Sequence, residues 1–151
     1  MEMVVDNVCT RDVATVRPSD TLFDAARVMR DRHVGDVIVT DDENNPRPVG
    51  ILTDRDIVVG ILAVAPDKLE TLLVEDVMSR DLATAQASDA LDKALRAMRA
   101  RGVRRLPVVA SDGRLIGIVT FDDLVAAMAR ELGELATVVA RERQREERMR
   151  I

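Results

Sequence analysis

Two segments of the 151-residue chain carry a hydroxyl and a carboxylate three residues apart, Thr53 with Asp56 and Thr120 with Asp123. Each pair ends a Gly-apolar-apolar run, Gly50 to Leu52 and Gly117 to Val119. A carboxylate accepts hydrogen bonds from both members of a vicinal diol, and the hydroxyl adds a third contact. A helix starting at the same place offers backbone N–H donors to a phosphate. The spacing is equally that of a capping box with a shortened acid, in which the two side chains satisfy the free donors of a helix N-terminus. The local pattern allows both readings, and they do not exclude each other.

Other chemistry is sparse. Cys9 is the only cysteine and His33 the only histidine, so the chain has no intramolecular disulfide, no soft-ligand cluster for zinc or iron and no nucleophilic triad. Cys9 reads as an apolar anchor and His33 as an exposed turn residue. Asp41, Asp42 and Glu43 suit either a weakly held hard cation or a hydrated hairpin tip. An enzyme is therefore not expected. A net charge of −5 with Phe23 and Phe121 as the only aromatics speaks against nucleic acid, which demands a positive field or a stacking platform. Apolar residues at 47% with 32% charged fit a folded globular chain. The run Ile57 to Ala65 is far shorter than the roughly 18 residues of a membrane span. Glu2 and Asp6 precede any basic residue and no apolar leader follows, so the expected address is cytoplasmic.

The elements that position the two pairs come from an internal repeat. Shifting the chain by 69 lays Arg11, Asp12, Thr15, Ser19 and Asp20 on Arg80, Asp81, Thr84, Ser88 and Asp89. Leu22, Ala25, Ala26 and Met29 fall on Leu91, Ala94, Leu95 and Met98, the stripe of a buried helix in each copy. Ser19 to Thr21 and Ser88 to Asp89 are the expected helix caps. Past the helix the shift drops to 67, because the first copy has a longer loop at Asp41 to Pro48 than the second has at Ser111 to Gly113. Strands are expected at Val37–Thr40, Val49–Leu52, Leu106–Val109 and Leu115–Val119, with second helices at Asp54–Val64 and Phe121–Leu132. Each copy then reads strand, helix, strand, strand, helix. A crossover followed by a hairpin gives a small mixed sheet with both helices on one side, so the two bare faces should meet about an approximate two-fold axis.

In this order of elements, in the doubled Gly-apolar-apolar-Thr-x-x-Asp motif, in Val77–Met78 and in Leu106 to Val109, the chain resembles a tandem pair of CBS domains, the Bateman module, over about residues 5 to 130. The resemblance implies an α/β (α+β) fold of two βαββα repeats, residues 1–69 and 70–130, packed sheet to sheet with pseudo-two-fold symmetry. A charged helical tail, 131–151, follows. It further implies a regulatory module that binds AMP, ADP, ATP, NAD or S-adenosylmethionine between the copies, senses energy or metabolites, acts on a separate effector protein and pairs as a homodimer. Carried over by position, Thr53, Asp56, Thr120 and Asp123 would hold ribose. Arg55, Arg104 and Arg105 would approach phosphate, and Thr15, Thr84, Val37, Leu106 and Pro107 the base. The chain departs from an even pattern at Cys9 against Met78, Ile38 against Pro107 and Arg55 against Asp122. The last places a second acid beside Asp123 and sets the two clefts apart.

The alternative is a ligand-free dimerisation or interaction scaffold whose motifs only cap helices. Arg96, Arg99 and Arg101 read as a solvated helix face. Leu124, Met128, Leu132, Leu135 and Val139 continue a helical stripe past the second motif, ahead of the Arg- and Glu-rich stretch 141–150. That stretch is either a helix tip in solvent or a handle for another protein.

Overall fold

Helix α1, Leu22–Arg32, begins where the sequence can satisfy its free donors. Thr21 Oγ1 accepts from the Asp24 N–H and Asp24 Oδ2 accepts from the Thr21 N–H, both at 3.1 Å. Its buried stripe is Leu22, Ala25 and Met29, and it ends on His33, the one non-glycine residue with positive φ (55°) among the described residues. Helix α4, Leu91–Arg101, repeats this with Leu91, Ala94 and Met98 and ends on Gly102 at φ 66°. The start of α4 differs from expectation. Ala90 occupies the cap position and offers no side-chain acceptor. Asp89 instead turns back to accept from the Gln86 N–H at 2.9 Å, so neither Ser88 nor Asp89 caps the helix.

The computed structural model describes residues 3–149; Met1, Glu2, Arg150 and Ile151 lie outside the described residues. Strands β1 (Thr15–Val16), β2 (Asp36–Thr40) and β3 (Pro48–Thr53) form one sheet in the order β1-β2-β3. Strands β4 (Ala85–Gln86), β5 (Arg105–Val109) and β6 (Leu115–Thr120) form the other in the order β4-β5-β6. In each sheet the first pairing is parallel and the second antiparallel. Helix α2, Asp54–Ile57, runs on through one wider turn, Val58–Leu62, closed by the Ala63 N–H donating to the Val58 carbonyl. The linker holds a short α3, Val74–Val77. Helix α5 extends from Phe121 to Met149, so the expected helix and its helical tail are one continuous element. No helix among the described residues is long and apolar enough to cross a membrane.

Each repeat has its own core between helices and sheet. Val37, Val39 and Leu52 pack with Leu22, Ala25 and Met29 in the first, and Leu106, Val108 and Val119 with Leu91, Ala94 and Leu124 in the second. The period of two along a strand turns Ile38 and Pro107 to the opposite faces. Both are almost fully buried, yet neither belongs to a helix-side core. They fill the contact between the sheets.

The segments leading into the repeats are exchanged. Val5 is fully buried in the second core, its N–H donates to the Asp89 carbonyl at 2.9 Å, and Thr10 bridges Ile118. Reciprocally, Val74 and Met78 lie in the first core, the Val74 N–H donates to the Asp20 carbonyl at 2.7 Å, and Ser79 bridges Ile51. The motif glycines make room for this. A Cβ on Gly50 would stand 2.6 Å from Met78 Sδ and 3.0 Å from the Ser79 carbonyl, and one on Gly117 2.8 Å from the Thr10 carbonyl.

Candidate functional site: two strand-to-helix junctions and the cleft between sheets

The two motifs sit at equivalent junctions, β3 to α2 and β6 to α5. Thr53 Oγ1 accepts from the Asp56 N–H at 3.1 Å and Asp56 Oδ2 from the Thr53 N–H at 3.0 Å. Thr120 and Asp123 do the same at 3.1 Å each. The capping reading is thus realised in both copies, and it uses one oxygen of each carboxylate. Oδ1 of Asp56 and of Asp123 has no protein donor among the described residues, and all four side chains are half-buried at the surface. Each junction is tied to the strand before it: the Asp54 N–H donates to the Gly35 carbonyl at 2.9 Å and the Phe121 N–H to the Arg104 carbonyl at 2.6 Å.

Between the sheets lies a small cavity of about 60 Å³, bounded by Ala14, Val34, Asp36, Ile38, Arg105 and Ile118, with Asp12 and Val13 at its edge. Asp36 and Arg105 occupy the same place in the two repeats and pair with each other at 3.1 Å across the axis. The Asp36 side chain is only 14% exposed. Burial raises its pKa above the ordinary carboxylate value, Arg105 pulls it back down, and the nearby Asp54 charge adds to the rise. Small-molecule pockets span roughly 300–1,000 Å³, so this cleft is closed and the ion pair is its bolt.

Of the arginines expected near phosphate, Arg105 is in the cleft. Arg104 pairs with Asp122 at 3.3 Å and lies over the Phe121 ring at 5.1 Å. The second acid beside Asp123 is therefore met by a cation, although both partners are exposed and the pair is screened. Arg55 is exposed and makes no ion pair among the described residues. Thr15, the first residue of β1, and Thr84, just before β4, are both exposed. Thr15 borders a wider cleft of about 430 Å³ with Arg17, Thr40, Glu43, Pro46 and Leu115.

Two expected base contacts are corrected by the alternation of the strands. Val37 and Leu106 are buried in the helix-side cores, so their side chains face away from the cleft. The cleft face belongs to their neighbours, Asp36 and Ile38 on β2 and Arg105 and Pro107 on β5. Asp36 was not among the expected site residues. Its signal in the sequence is that an acid and a base occupy one repeat position, 36 and 105. Pro107 also removes a bond. In the first repeat the Ile38 N–H donates to the Ala14 carbonyl at 3.0 Å, and proline has no N–H to repeat this toward Ala83.

Cys9 and Met78 hold matching places, each against the motif glycine of the repeat it covers. Burial pushes the Cys9 thiol up, which suits an anchor and not a nucleophile. In the loop after β2, Asp41 and Asp42 accept from the backbone N–H groups of Arg47 and Asn44, and Glu43 pairs with Arg17.

Two sheets of one topology, two matching junctions and a bare-face contact define a tandem α/β pair with a closed cleft between the repeats. A model of the CBS domain matches residues 5–63 and 74–130, and the chain belongs to that family. A protein of Methanopyrus kandleri is 34% identical over 121 residues, 80% of this chain and 60% of its own length. The inosine-5'-monophosphate dehydrogenase of Methanocaldococcus jannaschii is 38% identical over 120 residues, 80% of this chain but 22% of the enzyme. The chain thus spans less than two thirds of the first and less than a quarter of the second. Among solved structures, CBSX2 of Arabidopsis thaliana in complex with AMP is similar at 30% identity and a TM-score of 0.69, covering 84% of this chain and 96% of that one.

Proposed function

We propose that the chain is a regulatory module that binds an adenosyl ligand, of the class AMP, ADP, ATP, NAD or S-adenosylmethionine, and acts on a separate effector protein in the cytoplasm without catalysing a reaction. The observation that carries the reading is the doubled junction. Each half-buried carboxylate spends one oxygen on its helix cap and keeps the other for an incoming diol. That CBSX2, similar in sequence and fold, forms a complex with AMP supports the ligand class. Thr53 with Asp56 and Thr120 with Asp123 hold the ribose; Arg55, Arg104 and Arg105 are the candidate phosphate contacts; the base enters beside Thr15, Thr84 and Pro107.

Entry of a nucleoside requires the Asp36–Arg105 bolt to part, since about 60 Å³ holds no purine. Because the two residues come from different repeats, parting them changes how the sheets meet. That movement is the signal passed to the effector. The module pairs with a second copy through its apolar helix faces, of which Phe23, Val58, Val59 and Leu62 on the first repeat are each about half exposed.

A thermal-shift panel of the five ligands tests the reading. A native-state ligand at a hundredfold excess over its Kd adds ~2.7 kcal/mol, roughly 5 to 10 °C in midpoint for a domain of this size. No shift with any of them at millimolar concentration favours the second reading, an interaction scaffold, which the closed cleft and the satisfied capping boxes support.

A further inference from the structure

We infer that the C-terminal half of α5 is an arm that pairs antiparallel with the same arm of a second copy and lays its tip on that copy's α4–α5 groove. The inference rests on a paired chain and goes beyond it by assigning the surface and the direction. Along α5, Val125, Leu132 and Val139 recur every seven residues, and Met128 and Leu135 stand three after the first two. This is the 3-4 spacing of a two-helix seam. Leu124 and Ala127 face the module's own core and the half-buried Met128 packs at its edge, but every described residue from 131 onward is exposed, with Leu132 at 67%, Leu135 at 63% and Val139 at 55%. Ala129 and Ala136 flank the seam, small enough to let a second helix approach to the usual ~8–10 Å.

Charge chooses both the occupant and the direction. A parallel pair would set Glu142 and Glu146, which fall on seam positions, against their own copies. An antiparallel pair centred between Leu132 and Leu135 stacks these two on each other and Met128 on Val139. It then carries Arg143 and Arg145 to the acidic first turn of the other copy's α5, Asp122 and Asp123, where Asp122 is 85% exposed. The tip of the arm comes down beside Phe121 of that copy. There α4 and α5 enclose an apolar groove of about 450 Å³, floored by Leu95, Met98, Val103 and Phe121 and rimmed by Arg96, Arg99 and Arg104, with the one acid Asp92 paired to Arg96, so that the rim is net positive. Met149, 74% exposed, and Glu146 and Glu147 match that floor and rim. The tail is therefore complementary to the groove in apolar character and in sign, and a second copy of the chain supplies both.

Spin labelling at Arg148→Cys in a Cys9→Ser background, or Cys9→Ala should serine impair folding, reads the arrangement directly. Position 148 lies off the seam and is exposed. Antiparallel arms put the two labels about 40 to 45 Å apart, given a rise of ~1.5 Å per residue. A separation under about 20 Å, the parallel arrangement, or no inter-chain distance at all would overturn the inference. Adding Leu132→Glu and Leu135→Glu, both on exposed positions, should abolish the long distance, and its survival would equally overturn the seam. Sedimentation of the same samples separates the two ideas: a dimer that lacks the long distance refutes the arm while leaving pairing through the other helix faces intact.

Discussion

The two repeats agree wherever the backbone needs them to and diverge wherever a ligand would look. Both close their junctions with the same Thr-Asp box, both carry a glycine under an exchanged lead segment, and both bury the same helical stripe. Around the clefts the pairs are Asp36 against Arg105, Gly35 against Arg104, Asp54 against Phe121 and Ile38 against Pro107. None of these differences disturbs the strand register, since β2–β3 and β5–β6 match residue for residue. Architecture and recognition are thus carried by separate positions. One scaffold presents an acidic lip and a basic, aromatic lip across a shared axis.

The largest test of this asymmetry is at the carboxylates. Replacing Asp56 or Asp123 with Ala removes a charged acceptor worth ~1.5–3 kcal/mol, about tenfold or more in Kd. Asp56→Ala should weaken AMP more than Asp123→Ala, since Arg55, beside Asp56, has no ion pair among the described residues while Arg104 is engaged with Asp122. Adenosine, without phosphate, should show less difference. Asp56→Asn keeps an acceptor for the cap and isolates the loss of charge. Calorimetric titration giving equal losses for AMP would place the phosphate elsewhere.

Next in size is the pair of glycines. Overpacking costs ~1–3 kcal/mol. Gly117→Ala should fall near the top of that range because its closest obstacle is the Thr10 carbonyl at 2.8 Å. Gly50→Ala should cost less, because the Met78 thioether at 2.6 Å is a movable side-chain end, although the Ser79 carbonyl at 3.0 Å also resists. Denaturant unfolding of both variants ranks them, and the reverse order would show that the lead segments are not equally rigid.

The α4 start offers a gain instead of a loss. Ala90→Thr restores the acceptor that Thr21 supplies to α1 and should add about 1 kcal/mol, read as a raised Tm. An unchanged Tm would mean that the Gln86–Asp89 turn already serves the helix.

The smallest effect concerns acid. Asp36 has its folded pKa raised above an unfolded value of ~3.9, so the native state holds the proton more tightly. Its contribution favours the fold below that unfolded value and is lost as pH rises through the window up to the folded pKa. Asp36→Asn should remove this dependence and free Arg105. Comparing stability of the two proteins across the acid range checks the sign: the native protein should gain on Asp36→Asn as pH falls through that window, and a native protein that instead loses ground to the variant on acidification would contradict it.

The order of elements and the two junctions were legible because duplication repeats both the helical stripe and the Thr-x-x-Asp spacing, and each is local. Strand faces were less so: a run such as Val37–Thr40 is apolar on both sides, and only the structure shows that Val37 faces a helix while Ile38 faces the other sheet. The failed cap at Ser88–Asp89 arose because three polar residues precede α1 but Ala90 interrupts them before α4. The exchange of lead segments leaves no local trace. Matching Cys9 to Met78 shows that both leads belong to the repeat, but not which core each enters.

That exchange bears on how such a chain comes to exist. A single repeat whose lead packs on its neighbour leaves its own motif glycine uncovered, so it completes itself only by meeting a second chain. Joining two repeats through the linker around α3 turns that encounter into an internal one, at an effective concentration in the millimolar range for a short connection. Val5 then finds the second core, and Val74 the first, without waiting for diffusion. The tandem arrangement makes what would be a two-body assembly independent of concentration.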